Sequence, residues 1–310
     1  MTGSGIDCGA GTTNDCQEDY ISQEEIILTA SPAPGYAFAY WQEGETQITD
    51  NPYLISMVAD KSLTAVFYLK ADDFVFPVLT QGVTNPLQNK SNPIGAGWHG
   101  YSVGDNIQGA GDGHLGQDYV MDSSNGDGDA AGEPVYAIAN GVIVEAINNQ
   151  STSYGWCDND DHGWGPVVVI RHENKNGFNA TGSIVTATCD TEPNPTVIYS
   201  LYGHLSKTSI QNLQVGQIVH MGDQLGVVGM YGVDQNRWTT NHLHFELKDE
   251  VGYAEGTWYK TPVNEGVCPE STNYSCGSYV VKGVGTAYSM GINFAPHRYE
   301  PGEFINLNKQ

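Results

Sequence analysis

The chain has 310 residues, 39% of them hydrophobic, with 38 glycines, which describes a folded, turn-rich protein long enough for two domains and excludes a disordered one. Its net charge is −24, from 36 acidic against 12 basic residues, a field that repels nucleic acid and anionic membranes. No apolar run approaches the length that crosses a bilayer, so no membrane insertion is expected.

The start, Met1-Thr2-Gly3-Ser4-Gly5, lacks the basic segment and apolar stretch of a signal peptide. The six cysteines point to an oxidising compartment. The sequence therefore reads as a secreted or periplasmic protein without its leader. A monomer is expected.

A first unit is expected over residues 1–70. Glu24 to Ser31 reads as a strand centred on Ile26, Ile27 and Leu28. Pro32-Ala33-Pro34-Gly35 is a turn signal, and Tyr36 to Trp41 alternates aromatic and small residues as a second strand does. Asn51-Pro52 marks another turn, and Tyr53 to Met57 and Ser62 to Phe67 give two more strands. Cys8 and Cys16 lie close enough in sequence to pair, which stabilises by on the order of 3 kcal/mol.

The second unit, residues 71–310, carries many short strand-like runs: Val135 to Ile138, Gly141 to Ile147, Val167 to His172, Thr196 to Leu201 and Gln224 to Val228. Gly-rich turns separate them, and no long 3.6-period stretch appears. The expected fold is therefore mostly β, a small β-rich module followed by an antiparallel sheet domain.

Three clusters carry chemistry. In Asn241-His242-Leu243-His244-Phe245-Glu246-Leu247, polar and apolar residues alternate. On a strand His242 and His244 then face one side, while Leu243 and Phe245 enter the core. Gly113-His114-Leu115-Gly116-Gln117-Asp118 reads as a loop entering a strand, with His114 and Asp118 curled onto one centre. Tyr202-Gly203-His204-Leu205 ends an apolar run. The clusters supply four histidines and one carboxylate. A catalytic zinc takes three protein ligands and keeps one position open for water, so two histidines are left for acid–base or hydrogen-bonding work.

Two resemblances rest on these residues. Leu28 to Pro32, Gly35-Tyr36, Trp41 and Met57 to Phe67 resemble the internalin B-repeat-like modules of bacterial surface proteins, which implies an accessory module without catalysis. The three clusters, with Gly132 to Ile143, Gly165 to His172, Gln214 to Val219 and Gly222 to Gly229 in order between them, resemble the lysostaphin/LytM family of zinc endopeptidases over residues 73 to 250. That resemblance implies zinc held by His114, Asp118 and His244, with His204 and His242 lining the open position as general base and oxyanion donor, in either order. It implies cleavage in peptidoglycan cross-links or glycine-rich peptides, so the expected partner is a peptide or peptidoglycan substrate.

Other features stand beside this pattern. Asp122 to Asp129 offers oxygen ligands that suit calcium, against the reading of a solvated acidic turn. Ser153 to Gly165 reads as an inserted loop; the expected pairings are Cys157 with Cys189 and Cys268 with Cys276, subject to disulfide geometry. His99, His162, His172, His220 and His297 have no partner at ligand spacing and are taken as surface or core histidines. The extension beyond residue 250 carries no interpretable motif. The charge disfavours anionic walls, so a glycine-rich matrix protein such as elastin is a second substrate class. A non-catalytic binding module on the same fold is the alternative from another class.

Overall fold

The computed structural model describes residues 8–9, 16–100, 116–123, 126–148, 166–184, 192–230, 241–254 and 298–310. Ser153 to Gly165 and the pairings Cys157–Cys189 and Cys268–Cys276 lie outside them. The protein divides into two units, Met1–Lys70 and Ala71–Gln310, and is mostly β.

The first unit holds β1 (Glu25–Leu28), β2 (Tyr36–Glu43), β3 (Thr46–Ile48), β4 (Tyr53–Ser56) and β5 (Thr64–Leu69). β1 pairs with β4, and β2 lies between β3 and β5. Alternation sends Ile26 and Leu28 inward with Ile55 and Trp41, while Ile27 and Leu54 stay exposed. The Trp41 indole N–H donates to the Asp50 carbonyl. The Asn51 side chain holds the backbone of Ala30 from both sides, at 2.8 Å each. Cys8 and Cys16 are disulfide-bonded, as their spacing leads one to expect.

The second unit is built on one antiparallel sheet. Its strands are β6 (Trp98–His99), β7 (Gln117–Ser123), β8 (Gly126–Asp127), β9 (Pro134–Tyr136), β10 (Gly141–Ile147), β11 (Val167–Glu173), β12 (Val197–Gly203), β13 (Ile218–Val219), β14 (Gln224–Val227) and β15 (Leu243–Asp249), followed by helix α1 (Glu250–Ala254), β16 (Arg298–Tyr299) and helix α2 (Pro301–Asn308). The order across the sheet is β13-β10-β11-β12-β15-β7-β6, with β16 also on β15 and β8 on β7; β9 and β14 form a separate pair.

Both faces of the central strands are covered, so β11 and β12 are buried almost throughout, and their sequences are near-continuous apolar runs rather than alternating ones. One face, with Ile143, Val168, Ile170, Ile198, Tyr202, Leu243, Phe245 and Leu247, builds the main core. The other face carries Val167, Val169, Val197, Tyr199 and Leu201, covered by Tyr253 of α1, whose ring stacks on Tyr199 at 3.9 Å.

The C-terminal segment is part of this core. In α2 Pro301 occupies the first turn, and the Glu300 carboxylate accepts the Glu303 N–H as a cap. Phe304 meets Phe74 and Phe178, with ring centroids 5.7 and 5.9 Å away. β16 completes the edge of β15 beyond the stretch that β7 covers: β7 pairs with Leu243 to Phe245, β16 with Leu247 and Lys248.

Candidate metal centre and catalytic site

β15 is two-faced. Leu243, Phe245 and Leu247 enter the core, so His244, Glu246 and Lys248 project together on the opposite side, with His242 just ahead of them on the same period. All four are buried. The antiparallel register sets Asp118 of β7 directly beside His244 and Gly203 of β12 on its other flank. Directly opposed residues share a face. The imidazole thus has a carboxylate on one side and, on the other, a residue with no side chain to crowd it.

The distances follow from this register. Asp118 Oδ1 lies 2.9 Å from His244 Nδ1 and 3.5 Å from His242 Nε2. His244 Nε2 lies 3.0 Å from Glu246 Oε1. Lys248 Nζ is 2.7 Å from Glu246 Oε2, and Arg298 Nε, reaching in from β16, is 3.6 Å from the same oxygen. Burial would push the Glu246 carboxyl up, but Lys248, the bond from His244 and Arg298 outweigh it and hold it well below the usual carboxylate range. An ionised carboxylate only accepts, so His244 Nε2 carries a hydrogen and donates it.

That leaves Nδ1 facing Asp118. A neutral ring would present a lone pair to a carboxylate oxygen at 2.9 Å, two acceptors in contact. The arrangement calls for a cation between them, either a proton or a metal ion. With a proton there, burial still lowers the His244 value, but the bonds to Asp118 and Glu246 outweigh it and raise the value to about 9. Nitrogen plus carboxylate oxygen is a donor set that suits zinc.

His204 reaches the site by a break in strand geometry. Regular alternation after Tyr202 would aim residue 204 into the main core. Instead His204 adopts φ 61°, and its ring lies 4.7 Å from that of His242 and 6.1 Å from that of His244, centroid to centroid. The backbone there is pinned: Leu205 N–H donates to the Pro166 carbonyl, and Gly229 N–H to that of His204. Such strain in a non-glycine residue concentrates at functional sites.

Asp118, His204, His242 and His244 are therefore brought together. His114 lies outside the described residues, as do His162 and His297. The segment 101–115 is flanked by Gly100 and Gly116, and both flanks abut the site. A Cβ on Gly100 would fall 1.7 Å from the Asp118 carbonyl oxygen, and one on Gly116 would fall 2.3 Å from that of Phe245 and 2.9 Å from His244 Nε2. Among the described residues no group of three metal-ligating side chains is assembled; Asp118 and His244 stand as a pair of donors.

The remaining described histidines have other surroundings. His172 is buried, its Nδ1–H donating to the Asn140 carbonyl and its Nε2 lying 2.8 Å from Ser200 Oγ. His99 pairs with Asp122 at 2.7 Å, and His220 is exposed near Asp223. In the acidic stretch, Asp122 is engaged by His99, and Asp129 by Asn241 and the Ala131 N–H. Among the described residues it gathers no calcium site. Sequence reasoning gave no role to Glu246, Lys248, Gly203 or Arg298. The period of two running on from His242 and His244 to Glu246 and Lys248 was the signal for the first two.

Two sequence families match the chain. Residues 7–71 match the divergent InlB B-repeat domain. Residues 179–254 match peptidase family M23. Both resemblances named from the sequence are thereby found. The M23 segment supports a peptidase, a hydrolase of peptide bonds; it includes His204, His242 and His244, and begins after Asp118. No curated protein matches the chain. Among solved structures, the antimicrobial peptidase lysostaphin from Staphylococcus simulans is 27% identical over 48% of this chain and 41% of its own, with a TM-score of 0.28. A zinc-containing peptidase from Vibrio cholerae is 18% identical over 63% and 40%, with a TM-score of 0.31. A putative glycyl-glycine endopeptidase, LytM, from Ruminococcus gnavus is 20% identical over 58% and 54%, with a TM-score of 0.29. The chain spans less than two thirds of the length of each. Among the described residues no helix is long and apolar enough to cross a membrane.

Proposed function

We propose that the protein is a secreted zinc metalloendopeptidase that cleaves peptide bonds in peptidoglycan cross-links or glycine-rich peptides. The observation that carries this reading is the meeting of Asp118 and His244, with Oδ1 2.9 Å from Nδ1 and the rings of His204 and His242 beside them. In this reading zinc is held by His114, Asp118 and His244. His114 enters this ligand set through the resemblance of its sequence motif, Gly113-His114-Leu115-Gly116-Gln117-Asp118, to that of the zinc endopeptidases.

Bound zinc would supply Lewis acidity and lower the pKa of a water at its open position. The chain's own residues do the rest. Of His204 and His242, one ring in its neutral form accepts the proton of the attacking water and later delivers it to the leaving amine. The other donates an N–H to the carbonyl oxygen of the scissile bond as charge builds there. Asp118, in contact with both His244 and His242, fixes the relative positions of a ligand and a catalytic ring. The Cys8–Cys16 disulfide supports an extracellular or periplasmic location.

Hydrolysis of pentaglycine, purified peptidoglycan and an elastin-like polypeptide, with and without chelator, tests the proposal. Chelator-sensitive cleavage of either of the first two is expected. Cleavage of the elastin-like chain alone would move the substrate to a protein matrix. No cleavage of any of them by zinc-loaded protein would favour a binding module.

A further inference from the structure

Glu246, Lys248 and Arg298 form a buried ion cluster that the proposed chemistry does not use. It sits on the face of β15 that carries His244, and no residue of it is more than 6% exposed. Taking three charges out of water is costly unless they are paired, and similar apolar residues would fill the space more cheaply. The two oxygens of Glu246 are divided. Oε2 faces the two cations, Lys248 at 2.7 Å and Arg298 at 3.6 Å, whereas Oε1 is left to His244 Nε2 at 3.0 Å. The cluster thus aims one carboxyl oxygen at one ring nitrogen. Arg298 arrives from β16, paired with β15 at Lys248, so the C-terminal segment takes part in the aiming.

Resting on the metallopeptidase reading, we infer that Glu246, anchored by Lys248 and Arg298, is a positioning residue for the metal. It fixes His244 with its hydrogen on Nε2 and its donor nitrogen, Nδ1, turned to the Asp118 side. An outer carboxylate of this kind sets the tautomer and orientation of a ligating imidazole and raises its basicity. Gly116 shares the task. A Cβ there would fall 2.8 Å from Glu246 Cγ and 2.9 Å from His244 Nε2, so any larger residue would crowd both partners of this bond.

The test compares the wild-type chain with Glu246→Gln and with the double variant Glu246→Leu/Lys248→Met, which removes the carboxylate together with its nearer cation and leaves Arg298 as the one charge of the cluster. Three readouts are needed: zinc affinity by chelator competition, the His244 Nε2–H resonance in the zinc-loaded protein, and the melting temperature without metal. The double variant is expected to bind zinc about 10- to 100-fold more weakly and to lose a slowly exchanging Nε2–H. Glu246→Gln keeps an acceptor but no charge and is expected to fall between. If one variant fails to fold, the other decides. Zinc affinity within threefold of wild type in a folded variant, with the resonance unchanged, would overturn the inference alone. A wild-type chain that binds no zinc would overturn the metal reading and this inference with it.

Discussion

At His204 the backbone takes a left-handed conformation that costs an L-residue with a Cβ roughly 1 kcal/mol or more, and the strain turns the ring onto the site. Removing the Cβ should recover that cost. His204→Gly is therefore expected to be more stable than His204→Ala by about 1 kcal/mol, the reverse of their usual order, while neither cleaves substrate. Denaturant titration of the two variants checks this; equal stabilities would mean that φ is not strained. His172 makes the opposite kind of case, a histidine with no part in the site. Burial, reinforced by Arg171 and opposed by the bond to Asn140, lowers its value from 6.5 to about 4. The unfolded chain therefore binds the proton more readily. The stability His172 contributes is complete above about pH 6.5 and is lost as the pH falls towards 4, on the order of 3 kcal/mol in all. Melting temperatures across this window should fall more steeply for the wild type than for His172→Gln, and identical slopes would contradict the assignment.

The elements show what could be read from the chain. The runs Gly141 to Ile147 and Val167 to His172, bounded by glycines, were legible as strands because apolar patterning and turn residues are local signals. His-x-His was legible as one face of a strand for the same reason. The pairing of β7 with β15, which sets Asp118 beside His244, is a relation between residues 126 apart in sequence, and no local pattern encodes it. β6, β8, β13 and β16 have two residues each, too few to show a period. The cues of α2 were present, a Glu-Pro start before Phe304 and Ile305, but eight residues did not stand out from an uninterpreted tail. The burial of Phe304 against Phe74 and Phe178 gives that tail a structural role. Phe304→Ala should cost about 3–5 kcal/mol in a thermal or denaturant melt of the second unit. A loss below about 1 kcal/mol would mean that the helix is an appendage.

At the scale of the molecule, the net charge of −24 bears on the substrate rather than on the fold. Salt screens repulsion between like-charged surfaces, with a Debye length of about 10 Å at 0.1 M. Cleavage of anionic peptidoglycan should therefore rise between low and moderate salt, while cleavage of pentaglycine changes little; a parallel response of both would remove electrostatics from substrate choice. The architecture converges on one centre. A strand with a buried polar face is flanked by a carboxylate on one neighbour and a glycine on the other, and a strained histidine stands at the end of that second neighbour. The most direct measurement is the zinc content of the purified chain and of four single alanine variants. The account predicts one zinc per chain in the wild type, none in Asp118→Ala or His244→Ala, and nearly full zinc without cleavage in His204→Ala and His242→Ala. A wild-type chain without zinc, or a His244→Ala chain that keeps it while His242→Ala loses it, would contradict the assignment.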